Sequence, residues 1–169
     1  MYSKFILFIL LSFSILEGFG QANLVVFLDP ECPICQKSSK RLQEMYEKYG
    51  QSVAFKAVFP TQSLKKREVR AFNREYDFNI PYRIDRQHLL VEQYNAKVTP
   101  EVILFDQNGQ EVYRGAIDNQ FYELGKNRPK TTEFYLRDAL EALKNSIPIT
   151  KPHTKAVGCL IQRKRQTKS

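Results

Sequence analysis

The sequence predicts one α/β domain built as a three-layer sandwich around a mixed central sheet. Three observations carry this. A continuously apolar run at residues 24–28 and a second, mostly apolar strand at 53–59 each precede a helical pattern, as in βα units with parallel strands. A third apolar run, 102–105, leads through Asp106-Gln107-Asn108-Gly109 into residues 111–114. Asn-Gly is the strongest short-range hairpin signal, so antiparallel strands join the parallel ones. The chain's 169 residues are 43% apolar and 26% charged, which is globular composition at single-domain size.

Taken in order, residues 24–28 form the first strand, ended by Asp29-Pro30. Residues 33–49 place Leu42, Met45, Tyr46 and Tyr49 on one helical face, with Lys37, Lys40, Arg41 and Lys48 outside, and Gly50 stops the helix. Residues 53–59 are the second strand, closed by Pro60. Residues 63–76 read as a basic amphipathic helix with Val69, Phe72 and Tyr76 inward. Residues 77–84 read as a connection and 86–94 as a short helix. After the hairpin, 119–131 reads as a polar loop. Thr131 or Thr132 then caps a last helix that buries Leu136, Leu140 and Leu143. The expected order is β-α-β-α-α-β-β-α.

The ends of the chain differ in character from its middle. Lys4, then twelve mostly apolar residues at 5–16, then Gly18 and Gly20 have the pattern of a secretory leader over residues 1–20, cleaved to leave Gln21. The apolar run is too short to span a bilayer. The expected domain is 21–146, followed by a Pro-rich basic tail, 147–169. The net charge is +8, and Lys151, Lys155, Arg163, Lys164, Arg165 and Lys168 in that tail supply six of the eight. The rest is nearly balanced and the aromatic residues follow core periodicity, which argues against a nucleic-acid binder. A tail of this kind reads as a solvated, frayed terminus, the other reading being a contact for anionic lipid or an acidic partner.

Chemistry is concentrated at Cys32-Pro33-Ile34-Cys35, between the first strand and the first helix. A thiol at a helix start meets unpaired N–H groups and the positive end of the dipole, which stabilise a thiolate. Pro33 suits the first helical position. One turn later, Cys35 is placed to attack a mixed disulfide formed at Cys32. Val98-Thr99-Pro100 precedes the third strand. X-Pro is the common site of a cis bond, and a cis bond here would offer Thr99 backbone groups to a substrate chain.

Strand, C-x-x-C at a helix start and Thr-Pro before a hairpin together resemble the thioredoxin superfamily over about residues 22–145. The resemblance implies a cis Pro100 lying against the dithiol. Thioredoxins proper carry Trp before the first Cys and Gly-Pro between the two; here those places hold Glu31 and Pro33-Ile34, and the chain has no Trp. Residues 27–34, Thr99-Pro100-Glu101-Val102, Tyr113-Arg114-Gly115-Ala116-Ile117-Asp118 and Thr154-Lys155-Ala156-Val157-Gly158-Cys159 look more like exported redoxin-like proteins between peroxiredoxins and thioredoxins. Many such relatives keep the first and last Cys but have Ser or Ala at the position of Cys35.

The resemblance implies an exported thiol-disulfide oxidoreductase. Its expected catalytic residues are Cys32, Cys35 and Cys159, with Thr99, Pro100, Pro33 and Ile34 at the substrate. The expected disulfide is Cys32–Cys35, or alternatively Cys32–Cys159. Residues 146–158 span at most about 43–47 Å when extended, enough to bring Cys159 back to the site; the other reading is a free thiol on a loose tail. The dithiol itself carries two electrons, so no cofactor is expected. The expected partners are protein thiols or disulfides and a redox protein.

Two alternatives use the same residues. One is a copper- or zinc-handling protein with His153 joining the cysteines. The other is a thiol peroxidase with Cys32 as the peroxidatic thiol; here Asp29 stands where peroxiredoxins have Thr. Asp29 reads either as a turn residue or as a proton acceptor near Cys35. Glu31 reads as an exposed acid at the helix start, His88 as a packed or surface histidine, and Asp118 as a loop-fixing residue.

Overall fold

The computed structural model describes residues 20–163. The expected leader, apart from Gly20, and Lys164, Arg165 and Lys168 of the basic tail lie outside the described residues. The elements run β1 (Ala22–Phe27), α1 (Pro33–Tyr49), β2 (Val53–Phe59), α2 (Lys66–Glu75), β3 (Tyr82–Ile84), α3 (Leu89–Tyr94), β4 (Val98–Thr99), β5 (Glu101–Phe105), β6 (Glu111–Gly115), β7 (Phe121–Glu123), β8 (Lys126–Asn127), α4 (Tyr135–Lys144) and β9 (Cys159–Leu160). The central sheet has the order β3-β2-β1-β5-β6. β1 and β2 are parallel, as are β2 and β3, while β5 is antiparallel to both β1 and β6. The mixed sheet and the three layers are those expected.

Side-chain alternation along the strands decides what covers each face. Leu24, Val26, Phe55, Ala57, Val102 and Leu104 join one core with Leu42 of α1, Val69 and Phe72 of α2 and Leu136 and Leu140 of α4. The intervening Val25, Phe27, Val58 and Ile103 form a smaller core with Val91 of α3. β1 and β2 are buried on both faces over most of their length and so are largely apolar, with exposed Asn23 and Lys56 as the interruptions.

Several boundaries differ from the sequence expectation. α3 starts at Leu89 because the buried Asp85 carboxylate accepts from the N–H groups of Leu90 (2.9 Å) and Val91 (3.0 Å). α2 starts after Lys65, whose N–H donates to the Glu68 carboxylate at 2.7 Å. α4 starts after Phe134, with no side-chain cap; the Thr132 hydroxyl accepts instead from the Asn119 amide at 2.8 Å. β3 lies within the expected connection, and the β7–β8 hairpin within the expected loop. Both are too short and too polar to show a period-two pattern.

The C-terminal segment departs most from expectation. Residues 152–163 are fastened along β6 and then beside β4. The Arg114 N–H donates to the Pro152 carbonyl and the Thr154 N–H to the Arg114 carbonyl, both at 2.9 Å. The Thr154 hydroxyl accepts from the Ala116 N–H at 3.0 Å and bonds the Tyr113 hydroxyl at 2.7 Å. Gly115, at φ +143°, makes room for this contact: a Cβ there would sit 2.2 Å from the Thr154 carbonyl oxygen. Farther on, the Ile161 N–H donates to Lys97 O at 3.0 Å, and Arg163 donates to Ala96 O at 2.8 Å.

Thr154→Val keeps the side-chain shape and removes the hydroxyl, leaving the Ala116 N–H unpaired. Urea unfolding should show a loss of about 1–3 kcal/mol, with faster amide exchange at Ala116; a loose tail would show neither.

Candidate active site

β1 delivers the chain to Asp29, and a tight turn then starts α1. The Asp29 carboxylate accepts from the Glu31 N–H (2.9 Å) and from the Thr61 hydroxyl (2.6 Å). Both of its oxygens are thus engaged in holding the turn. It is the Asp29 N–H that approaches the Cys35 sulfur, at 3.4 Å. This is the turn role, and it is the backbone N–H of Asp29, not its carboxylate, that meets Cys35. Thr61, at the end of β2, carried no signal in the sequence because its partner is 32 residues away.

Cys32 is the residue before the first turn of α1, and Pro33 opens the helix. The residue is buried, at 2% exposure. Glu31 and Pro33 are exposed, while Ile34 is packed into the main core. Of the intervening pair expected at the substrate, only Pro33 is open to solvent. Thr99–Pro100 is a cis peptide, as expected, and the Thr99 carbonyl lies 3.2 Å from the Cys32 sulfur, accepting from its thiol form.

The structure brings all three cysteines together, and all are free thiols. Cys159 donates to the Cys32 sulfur across 2.9 Å. Its strand, β9, pairs antiparallel with β4, setting Cys159 opposite Thr99. The Cys32 pKa is lowered to about 5 by the donating Cys35 thiol first, opposed by burial and assisted by Cys159. Cys35 is raised well above the ordinary thiol range by burial and by the Cys32 charge. Cys159 is pushed up to about 12, again by burial first and then by Cys32. The result is one thiolate solvated by two protonated neighbours.

Around this centre, Arg114 ties the hairpin to the cis loop through Glu101 (3.3 Å), Glu111 (2.7 Å) and the Tyr94 carbonyl (3.0 Å). Glu101 also accepts from the Lys97 N–H at 2.8 Å, bracing the turn into β4. Asp118 fixes its loop, accepting from the Gln120 N–H (2.9 Å), and pairs with Arg41 of α1 at 2.6 Å. His88 is a packed histidine, its Nε2 2.6 Å from the Pro60 carbonyl. His153 is bridged to Arg114. Among the described residues, no group of three or more His, Cys, Asp or Glu is arranged to hold a metal ion. Among them, too, no helix is long and apolar enough to cross a membrane.

Comparison with known proteins agrees with this geometry. The thioredoxin-like domain family matches residues 13–126. The chain belongs to that family. No curated protein matches the sequence. Among solved structures, this thioredoxin-like protein is similar to a hypothetical protein from Sinorhizobium meliloti (TM-score 0.74, 24% identity, 87% of this chain and 82% of that one). It is similar also to an uncharacterized conserved protein from Geobacillus kaustophilus (TM-score 0.73, 22% identity, 87% and 79%). A third is a secreted Mycobacterium tuberculosis disulfide oxidoreductase (TM-score 0.57, 17% identity, 73% and 83%). At these identities the likeness is one of fold.

Because Cys32 ionises with a pKa of about 5, its alkylation by iodoacetamide should rise through a midpoint near that pH and then level off. Cys35→Ala removes the main donor and should move the midpoint upward; an unmoved midpoint would overturn this account of the thiolate. The depressed pKa also stabilises the reduced fold. That contribution is complete above the unfolded thiol's range and fades as pH falls through about 5.

Proposed function

We propose that this thioredoxin-like protein is an exported thiol-disulfide oxidoreductase acting on polypeptide disulfides. The observation that carries the proposal is a thiolate at the start of a helix with a second thiol 2.9 Å from it. In the reducing direction, the Cys32 thiolate attacks one sulfur of a substrate disulfide. The substrate S–S bond breaks, one substrate thiolate leaves and takes a proton, and the other sulfur stays bonded to Cys32. A resolving thiol then gives up its proton, bonds to the Cys32 sulfur and releases the second substrate thiol. Two electrons have moved from the enzyme dithiol to the substrate. A reducing thiol partner restores the dithiol, and the same steps in reverse oxidise a substrate.

Accessibility together with contact favours Cys159 as the resolving thiol, with Cys35 in a supporting place. Cys35 is fully buried and serves the Cys32 thiolate as a hydrogen-bond donor. Cys159 is partly exposed and already touches the target sulfur. Once Cys32 is in a mixed disulfide, the negative charge that holds the Cys159 proton is gone, and its ionisation becomes easier. The Thr99 carbonyl borders the Cys32 sulfur at 3.2 Å, which supports Thr99 and the following Pro100 as the substrate side of the site.

Cys32→Ser should abolish insulin reduction, and undiminished turnover would refute the assignment. Cys159→Ser should accumulate a mixed disulfide on Cys32, visible by intact mass. Peptide mapping of the oxidised wild-type protein should yield a Cys32–Cys159 link. Export is tested by sequencing the N-terminus of the mature protein, expected at Gln21.

A further inference from the structure

The substrate side of Cys32 is not empty. β9 of the same chain lies along β4, with Thr99 opposite Cys159 and Val98 opposite Leu160. This is the main-chain edge to which an extended polypeptide adds as a strand, and Cys159 stands where such a chain would present its cysteine sulfur. We propose that residues 158–161 are a resident substrate strand, and that extended polypeptides with glycine immediately before the reacting cysteine compete for the edge it covers. The proposal rests on the exchange chemistry above and names the substrate of that same site.

The glycine requirement comes from sterics. A Cβ on Gly158 would stand 2.0 Å from the Thr99 carbonyl oxygen, 2.5 Å from its carbon and 3.0 Å from the Pro100 nitrogen. These are backbone atoms of the loop that borders the thiolate, so they cannot move aside as a flexible side chain would. Any chain that brings its cysteine to Cys32 in this register meets the same wall one residue earlier. The next positions are less restrictive in different ways. Leu160 is 70% exposed and reads nothing. Ile161 packs against the smaller core, so an apolar residue two places after the cysteine fits there. Beside the strand, a cleft of about 460 Å³ is bordered by Asp29, Pro60, Thr61, Thr99, Leu160 and Ile161, which leaves room for the side chains of an exchanging strand.

Strand exchange and thiol exchange then coincide. While residues 158–161 are seated, Cys32 is covered. When they lift away, an incoming peptide disulfide is attacked by the Cys32 thiolate; its S–S bond breaks, a mixed disulfide forms and one thiolate leaves. The returning strand displaces the bound peptide from β4 as the Cys159 thiolate attacks the Cys32 sulfur. The peptide leaves as a thiol and the enzyme as the Cys32–Cys159 disulfide.

The test uses the full chain in two forms, Cys159→Ser and Gly158→Val/Cys159→Ser, so that only the seating of the strand differs. Two peptides, Ala-Val-Gly-Cys-Leu-Ile and Ala-Val-Val-Cys-Leu-Ile, are each supplied as a mixed disulfide with thionitrobenzoate, alongside the small disulfide DTNB. The glycine peptide should react with Cys32 on the order of tenfold faster in the double variant than in Cys159→Ser, because the competing strand is expelled. In both proteins the glycine peptide should outpace the valine peptide, a comparison that stands even if the double variant folds poorly. Equal rates for the two peptides in Cys159→Ser would overturn the glycine requirement. Equal rates for the glycine peptide in two folded variants would overturn the resident strand. If DTNB itself fails to react at Cys32, the exchange reading fails instead.

Discussion

The pairing of β9 with β4 organises the site more than any other interaction. It is only two residues long, yet it sets Cys159 against Cys32, covers the thiolate and places a chain segment on the backbone of Thr99. Neither strand is held by its own pairing. β4 is braced by Glu101 through the Lys97 N–H, and Glu101 is in turn paired with Arg114. β9 is suspended between the Thr154 anchor on β6 and the Ile161 and Arg163 anchors near α3. A short ladder can persist when the segments on both sides of it are fixed, because little further conformational entropy is lost in forming it.

The same arrangement gives the thiolate its environment. Burial alone would raise the Cys32 pKa, and burial is in fact an opposing cause. Two neighbouring thiols reverse the sign by donating to the ionised sulfur, while their own pKa values rise for the complementary reason. The three sulfurs therefore act as a unit: one holds the charge because the other two hold protons. The helix start contributes in the same direction, with Cys32 at its first boundary and no acidic residue in its first turn.

The two sequence segments that look unrelated in the chain, residues 113–118 and 154–159, explain each other in space. Tyr113 and Thr154 bond through their hydroxyls, Gly115 lacks the side chain that would block the Thr154 carbonyl, and Gly158 lacks the one that would strike Thr99. Asp118 reaches Arg41 and so links this latch to α1, the helix that begins at Cys32. Both glycines are thus required by close approach between segments, and Gly115 by its positive φ as well.

By itself the sequence determined the sheet class, α1 and β2 to their ends, the hairpin, and the placement of Cys32, Cys35 and Pro100. These depend on patterns within one or two turns or strands: mostly apolar runs, a helical stripe, an Asn-Gly turn, and cysteines one helical turn apart. Tertiary structure alone decided that Asp29 is held by Thr61, that Ile34 belongs to the core, that Thr132 serves Asn119 instead of a helix cap, and that residues 152–163 are docked. It also decided that Cys159 joins Cys35 beside Cys32. The physical reason is sequence distance. Cys159 lies 127 residues from its partner, and a contact made by so short a segment leaves no periodicity to read. Only the folded chain, with the β4 edge available to β9 and the space left by two glycines, makes them complementary.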